Sequence, residues 1–339
     1  MSVSFKESVQ IAQRLTLATI LKRPVCVSFE VTHSCNARCK HCDKGGIKKG
    51  EARLQPKEYG NIAANLKPPF LQISGGEPLL REDVGEIVKQ VKGSNHVPFV
   101  IFVTNASLLN EGCYVNLKGC GVNQFSISID FPDTRHDEFR GIPGLFSRLE
   151  SLMPKLAAFG NGDVVLNTAI TSENVGDLLD LAQMAKEWGV SISYSAYSSL
   201  RTYDKGLSVA ENIDLLEQQI EQLKRFKKEK GTIRTPTVIL ENILEFFREG
   251  SYIPNCKAGV KSMVVTPDGY FMPCAMHNEV KYPSRESMIE SFSRDNTCGE
   301  CYVSIRSMTE MGLRGRAELT LSHFGFGVKR TGENHCCWS

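Results

Sequence analysis

Six apolar stretches recur over the first two hundred residues, and segments with helical spacing lie between them. VCVSFEV (25–31), FLQIS (70–74), VPFVIFVTN (97–105), VNQFSISID (122–130), DVVLNTAI (163–170) and VSISYSAYS (190–198) are rich in Val, Ile, Phe and Tyr. Several run almost continuously apolar, the pattern of strands buried on both faces. LFSRLESLMPKLAAFG and NVGDLLDLAQMAKEWG read as amphipathic helices, the second closing on Gly189. Repeated strand–helix units imply parallel strands joined by right-handed crossovers. Six units fall two short of a closed eightfold barrel, so the expected fold class is α/β, an open, partial (β/α)6 barrel-like parallel sheet.

Flanking this core, residues 1–24 read as a helical segment with Ile11, Leu15, Ala18 and Leu21 on one face. That stripe is expected to pack on the core; a surface anchor on lipid is the less favoured reading. Residues 25–205 form the core unit, 206–250 a helical connection, and 251–339 a smaller C-terminal unit. In the last, SMVVTPDGYFMPC (262–274) predicts a hairpin turning on Pro-Asp-Gly.

The formal charge of +2 gives no basic field for nucleic acid. No signal peptide is visible, and the first apolar run is far too short to span a bilayer. Twelve cysteines then point to a reducing, cytoplasmic setting in which clustered thiols bind metal or do catalysis.

Cys35, Cys39 and Cys42 follow the first strand with spacing C-x3-C-x2-C. Three thiolates on a tight loop can hold three irons of a four-iron cubane and leave the fourth open, whereas structural zinc wants four closed ligands. His41 could add a donor, but its adjacency to Cys42 makes shared ligation of one ion awkward. ISGGEP (73–78) ends the second strand, Thr104 and Asn105 the third, SID (128–130) the fourth, and Asn167 lies in the fifth. Ligands of such folds bind at the carboxyl ends of parallel strands, so these features should converge on one mouth.

Over residues 25–200 the chain resembles the radical S-adenosylmethionine superfamily, through the cysteine triad, Gly75-Gly76-Glu77 and Ser128-Ile129-Asp130 in that order. The resemblance implies that Cys35, Cys39 and Cys42 hold a [4Fe–4S] cluster whose open iron is chelated by S-adenosylmethionine. It further implies that Gly75, Gly76 and Glu77 lie against the methionine amino group, and Ser128 and Asp130 near the ribose with Asn167 assisting. His41 takes the aromatic place beside the adenine. Reductive cleavage would yield a 5′-deoxyadenosyl radical, with an electron donor such as flavodoxin or ferredoxin.

A second set, Cys256, Cys274, Cys298 and Cys301, frames the hairpin in a C-x12-G-x4-C…C-x2-C layout that includes Gly269. Paired C-x2-C halves also suit zinc. The layout is similar to the auxiliary-cluster domains called SPASM and twitch; the absence of further cysteines just after Cys301 suits the one-cluster twitch type. Cys336 and Cys337 could add a ligand. Cys26, Cys113 and Cys120 read as structural.

The implied reaction is hydrogen abstraction leading to net oxidation or bond formation, with the auxiliary [4Fe–4S] cluster accepting the electron. Only 34 residues precede Cys35, too few for a peptide-leader domain, which favours a small-molecule substrate. A maturase of a ribosomally made peptide is the alternative. Tyr194, Tyr197 and Arg201 are candidates for lining the substrate pocket, against simpler readings as core packing and a surface loop. A zinc-stabilised binding protein and a non-catalytic iron–sulfur carrier are the remaining classes.

Overall fold

A computed structural model describes residues 5–93, 97–312, 314–316 and 318. Its strands β1 (Cys26–Thr32), β2 (Phe70–Gly75), β3 (Phe99–Thr104), β4 (Gln124–Ser128), β5 (Val164–Ile170) and β6 (Ser191–Ala196) fall within the six expected stretches to within a residue. They pair in parallel in sequence order. Helix α1 (Phe5–Ile20) precedes the sheet. The crossovers carry α2 (Pro56–Leu66), α3 (Val84–Lys92), α4 (Glu111–Cys120), α5 (Arg135–Arg140), α6 (Leu145–Ala158) and α7 (Leu178–Glu187). The expected helical connection is α8 (Ile213–Lys230) and α9 (Thr237–Glu249).

The predicted hairpin forms, as β7 (Ser262–Val265) and β8 (Phe271–Met272), but it does not stand apart from the core. β7 lies parallel to β1, from Cys26 opposite Ser262 to Phe29 opposite Val265, and extends the sheet to eight strands. The first strand, an open edge in a six-unit count, is thereby covered. Short helices α10 (Arg285–Met288) and α11 (Ser304–Glu310) complete the C-terminal part.

The strands are buried on both faces, yet the faces differ. Val27, Phe29, Leu71, Ile73, Phe102, Phe125, Leu166 and Ile192 are wholly buried and form the apolar core. Alternate positions carry Ser28 and Glu30 on β1, Ser74 on β2, Ser126 on β4, Asn167 on β5 and Ser193 on β6. Since side chains alternate along a strand, one face of the sheet is oily and the other is lined with short polar groups. A buried polar face needs partners or a polar occupant.

On α1, Ile11 and Ala18 are buried, Leu15 is half-buried and Leu21 is 52% exposed, so the expected stripe packs along most of its length. Among the described residues no helix is long and apolar enough to cross a membrane. Cys336 and Cys337 lie outside the described residues.

Candidate functional site

The triad loop leaves β1 at Thr32 and is held at three places. Cys35 N–H donates to Gly46 O (3.0 Å), closing the loop on itself. Arg38 N–H and Lys40 N–H donate to Arg140 O (2.9 Å) and Phe139 O (3.0 Å), fastening the loop to the end of α5. Asn36 accepts from Asn105 Nδ2 (2.9 Å) and donates to Ser107 Oγ (2.8 Å), tying it to the end of β3. Cys35 is buried, and Cys39 and Cys42 are partly so. Burial pushes the Cys35 thiol up to about 11 and raises that of Cys39, so a cation bound at these sulfurs would favour their thiolate forms.

The glycines of β2 press directly on this loop. Gly76 N–H donates to Thr32 O (2.7 Å) and Glu77 N–H to Ser34 O (2.9 Å), so the two chains stay zipped past the sheet's edge. A Cβ on Gly75, whose φ is +129°, would overlap Thr32 O, and one on Gly76 would overlap Ser34 O, both well inside 3.0 Å. Glu77 is completely buried. Its carboxylate accepts from Thr104 Oγ1 (2.7 Å), Leu79 N–H (3.0 Å) and Asn105 N–H (2.8 Å), binding the end of β2 to the end of β3. Burial raises its pKa against these hydrogen bonds.

Beyond β4, Asp130 is wholly buried and receives Arg140 Nε at 2.5 Å. The same guanidinium donates through Nη1 to Cys39 Sγ (3.6 Å). His136, also wholly buried, accepts from Asp130 N–H through Nδ1 (3.2 Å). His41 stacks on Phe139 with ring centroids 5.1 Å apart. Three buried polar atoms here, His41 Nδ1, Asp130 Oδ1 and His136 Nε2, have no hydrogen-bond partner among the described residues. Such a group is costly unless something polar meets it. Neither His136 nor Arg140 was singled out from sequence. The signal was present: RHDEFRG places them four apart, on one face of a helix that follows SID.

The four later cysteines also come together, lining one cavity with Leu200, Met276, His277 and Arg306. Cys256 N–H donates to Cys298 O (3.1 Å), and Asn296 clasps both residues through Cys256 O (2.7 Å) and Cys298 N–H (3.0 Å). Burial pushes Cys256 and Cys274 up to about 12, while a hydrogen bond with His277 lowers Cys298. Among the described residues, no three His, Cys, Asp or Glu side chains gather closely enough to hold a single ion. Cys26 is buried in β1, and Cys113 and Cys120 sit on α4, in keeping with structural roles.

Residues 29–185 match the family model described as the Radical SAM superfamily. The chain carries a radical SAM domain. Its cofactors across the superfamily are S-adenosylmethionine and a [4Fe–4S] cluster. An AdoMet-dependent heme synthase of Methanosarcina barkeri is 31% identical over 179 residues, covering 51% of this chain and 50% of that protein. Mycofactocin maturase MftC of Mycobacterium ulcerans is 29% identical over 197 residues, 57% of this chain and 52% of that one. The chain thus spans about half the length of these curated relatives. SuiB of Streptococcus suis, solved with its precursor peptide SuiA, superposes with a TM-score of 0.60 at 16% identity, covering 83% of this chain and 67% of that one. At that identity the likeness speaks for the fold.

The polar face of the radical SAM domain's sheet is cross-linked. Ser28 and Ser74 share a hydrogen bond (2.7 Å), Asn167 donates to Ser126, and Ser193 donates to Asn167 (3.2 Å). Asn167 is therefore engaged with its neighbouring strands, and Ser128 closes β4 beside it. Arg201 pairs through Nε with Asp43, which also accepts from Asn278 Nδ2 (2.6 Å), while Arg201 Nη2 is buried without a partner among the described residues. This chain of contacts joins the triad loop to the segment after Cys274. Tyr194 instead lies in the apolar core and donates to Leu178 O (2.6 Å), and Tyr197 donates to Asp204 O (2.8 Å). Both tyrosine hydroxyls are spent on packing.

Glu30 forms the charged centre of this face, with Lys44 Nζ at 2.9 Å and His33 Nε2 at 2.8 Å. Burial works against its charge, but the His33 and Lys44 hydrogen bonds and the Lys44 and Arg201 charges hold its carboxyl down at about 2. A carboxyl drawn from 4.5 to about 2 on folding contributes about 3 kcal/mol above pH 4.5. That contribution is lost as pH falls through this window. Urea unfolding of wild type and Glu30→Gln should therefore differ by about that much at pH 7 and converge near pH 2.

Proposed function

We propose that this chain is an enzyme that cleaves S-adenosylmethionine reductively and takes a hydrogen atom from its substrate. Cys35, Cys39 and Cys42 would hold the [4Fe–4S] cluster, and Cys256, Cys274, Cys298 and Cys301 a second, fully ligated one. The observation that carries this reading is the three-cysteine loop clasped by Gly75 and Gly76, with unpartnered buried atoms of His41, Asp130 and His136 beside it. Three ligands suit a cluster with one open position, and polar atoms without partners suit a nucleoside. Four cysteines lining one cavity can ligate every iron of a cubane.

With cluster and S-adenosylmethionine bound, and one electron from a donor such as flavodoxin or ferredoxin, the site would supply a 5′-deoxyadenosyl radical for hydrogen abstraction, methionine being the other product. The chain's own residues do the rest. The glycine clasp fixes the triad loop, and Glu77 holds β2 and β3 in line so that the loop keeps its shape. The zipped backbone at Gly75 and Gly76 would lie along the methionine moiety. His41 on Phe139 would flank the adenine, and Asp130 Oδ1, with Ser128, would face the ribose. Arg201 and Asp43 link the triad loop to the segment after Cys274, and there substrate would pass an electron to the second cluster; flavodoxin or ferredoxin would feed the first.

The reaction would be a net oxidation or a bond formation. The heme synthase likeness favours a small-molecule substrate. A second reading, maturation of a ribosomally made peptide, is favoured by the MftC match and by a fold shared with SuiB. The test is anoxic purification followed by iron and sulfide analysis, then dithionite with S-adenosylmethionine. About eight irons per chain and release of 5′-deoxyadenosine are expected. Zinc in place of iron, or iron without nucleoside release, overturns the reading. Deuterium transfer from labelled small molecules or peptides into 5′-deoxyadenosine then separates the two substrate classes.

A further inference from the structure

We infer that Arg140 tunes the first cluster, holding a charged N–H···S hydrogen bond on Cys39 that raises the reduction potential at the triad. This deepens the proposal that the triad binds a [4Fe–4S] cluster and rests on it. Arg140 is the last residue of α5 and only 8% exposed. One arm of its guanidinium meets Asp130 Oδ2 (2.5 Å) and another meets Cys39 Sγ (3.6 Å). Asp130 is itself wholly buried, so the fork is aimed from behind by a carboxylate that cannot swing into solvent.

The backbone adds to this fixity. The carbonyls of Phe139 and Arg140 accept N–H groups from Lys40 and Arg38, on either side of Cys39. The cation and the sulfur are therefore carried on two segments bolted together, and their separation does not depend on a flexible stem. Cys35 Sγ differs, receiving a neutral backbone donor, Ala37 N–H, at 3.4 Å. The hydrogen bond at Cys39 is the charge-assisted one, and such bonds are about twice as strong as neutral ones.

Adding an electron makes a cluster more negative. A buried cation on one of its sulfurs stabilises the reduced form more than the oxidised form, and hydrogen bonds to sulfur are among the terms that set these potentials. Lysine keeps the charge but lacks the planar fork, so it cannot serve Asp130 and Cys39 together. Arg140 is a positioning residue in this account: it acts through Cys39.

The test is a potentiometric titration of the full chain followed by electron paramagnetic resonance, without S-adenosylmethionine. A Cys274→Ala/Cys298→Ala background, which leaves the second set two thiolates, isolates the triad's signal. Arg140→Gln should shift the midpoint negative by about 59 mV, a tenfold loss in the one-electron reduction equilibrium. Arg135→Gln, on the exposed side of the same helix and paired with Asp133 and Asp177, should leave it unchanged. Equal iron and sulfide with an unmoved midpoint in Arg140→Gln overturns the inference and leaves the cluster reading standing. If Arg140→Gln loads no iron, Arg140→Lys decides: an unmoved midpoint overturns the inference, and a negative shift upholds it. Wild type without iron removes both.

Discussion

Alanine at Cys39 should abolish S-adenosylmethionine cleavage and lower bound iron from about eight to about four per chain, one cubane's worth. Alanine at both Cys274 and Cys298, which leaves two thiolates where the triad uses three, should also remove about four irons but leave slow 5′-deoxyadenosine release intact while ending product formation. The asymmetry follows from the two sites. The triad loop sits at the ends of β1 and β2 beside unpartnered polar atoms, whereas the second set lines its own cavity around the hairpin. Burial raises the thiols of Cys39 and Cys274, so their protons are hard to remove without metal, and losing either ligand weakens metal and fold together. Iron and sulfide assays with nucleoside chromatography read both effects. Cleavage surviving in Cys39→Ala under strict anoxia would falsify the assignment of the triad.

Gly76→Ala should be nearly as severe, although it removes no ligand. The added methyl has nowhere to go: it falls on Ser34 O, a backbone atom on the same loop as Cys35. Relief requires β2 and the triad loop to part, which breaks the Gly76–Thr32 and Glu77–Ser34 hydrogen bonds and disturbs the buried Glu77 carboxylate behind them. A cost above about 4 kcal/mol is expected, in the range reserved for a named structural fault. The protein should either fail to accumulate or retain about four irons, those of the second set. Gly119→Ala is the matched control, since nothing lies within 4 Å of its Cβ and it sits inside α4; a gain of up to about 1 kcal/mol is expected there. Normal iron content in Gly76→Ala would show that the clasp is not needed to shape the loop.

Much of this molecule was readable as a string of letters. The six strands were legible because apolar β-branched and aromatic runs between helical segments have few other ways to be buried. The triad was legible because three cysteines in eight residues are close in space whatever the fold does. The hairpin at Pro267-Asp268-Gly269 followed from turn chemistry that acts over four residues. All of these are local, settled by neighbours along the chain.

The rest needed contacts between distant segments. Reading several strands as almost continuously apolar overlooked the alternation in VCVSFEV and FSISI, and only the paired sheet shows that Ser28, Ser74, Ser126, Asn167 and Ser193 share one face. Gly75 and Gly76 looked like room for a ligand; in the fold they first make room for Thr32 and Ser34. Glu77 is turned to Thr104 and Asn105, more than twenty-five residues away, and Arg140 reaches a cysteine 101 residues back. Tyr194 was a pocket candidate by position, but strand parity sends it into the core. By itself the sequence determined the elements and the clustering of the triad cysteines, because both depend on short-range spacing. Tertiary structure decided which groups support that triad, since a carboxylate or guanidinium takes its role from whatever it meets across the fold, and that partner is not encoded nearby.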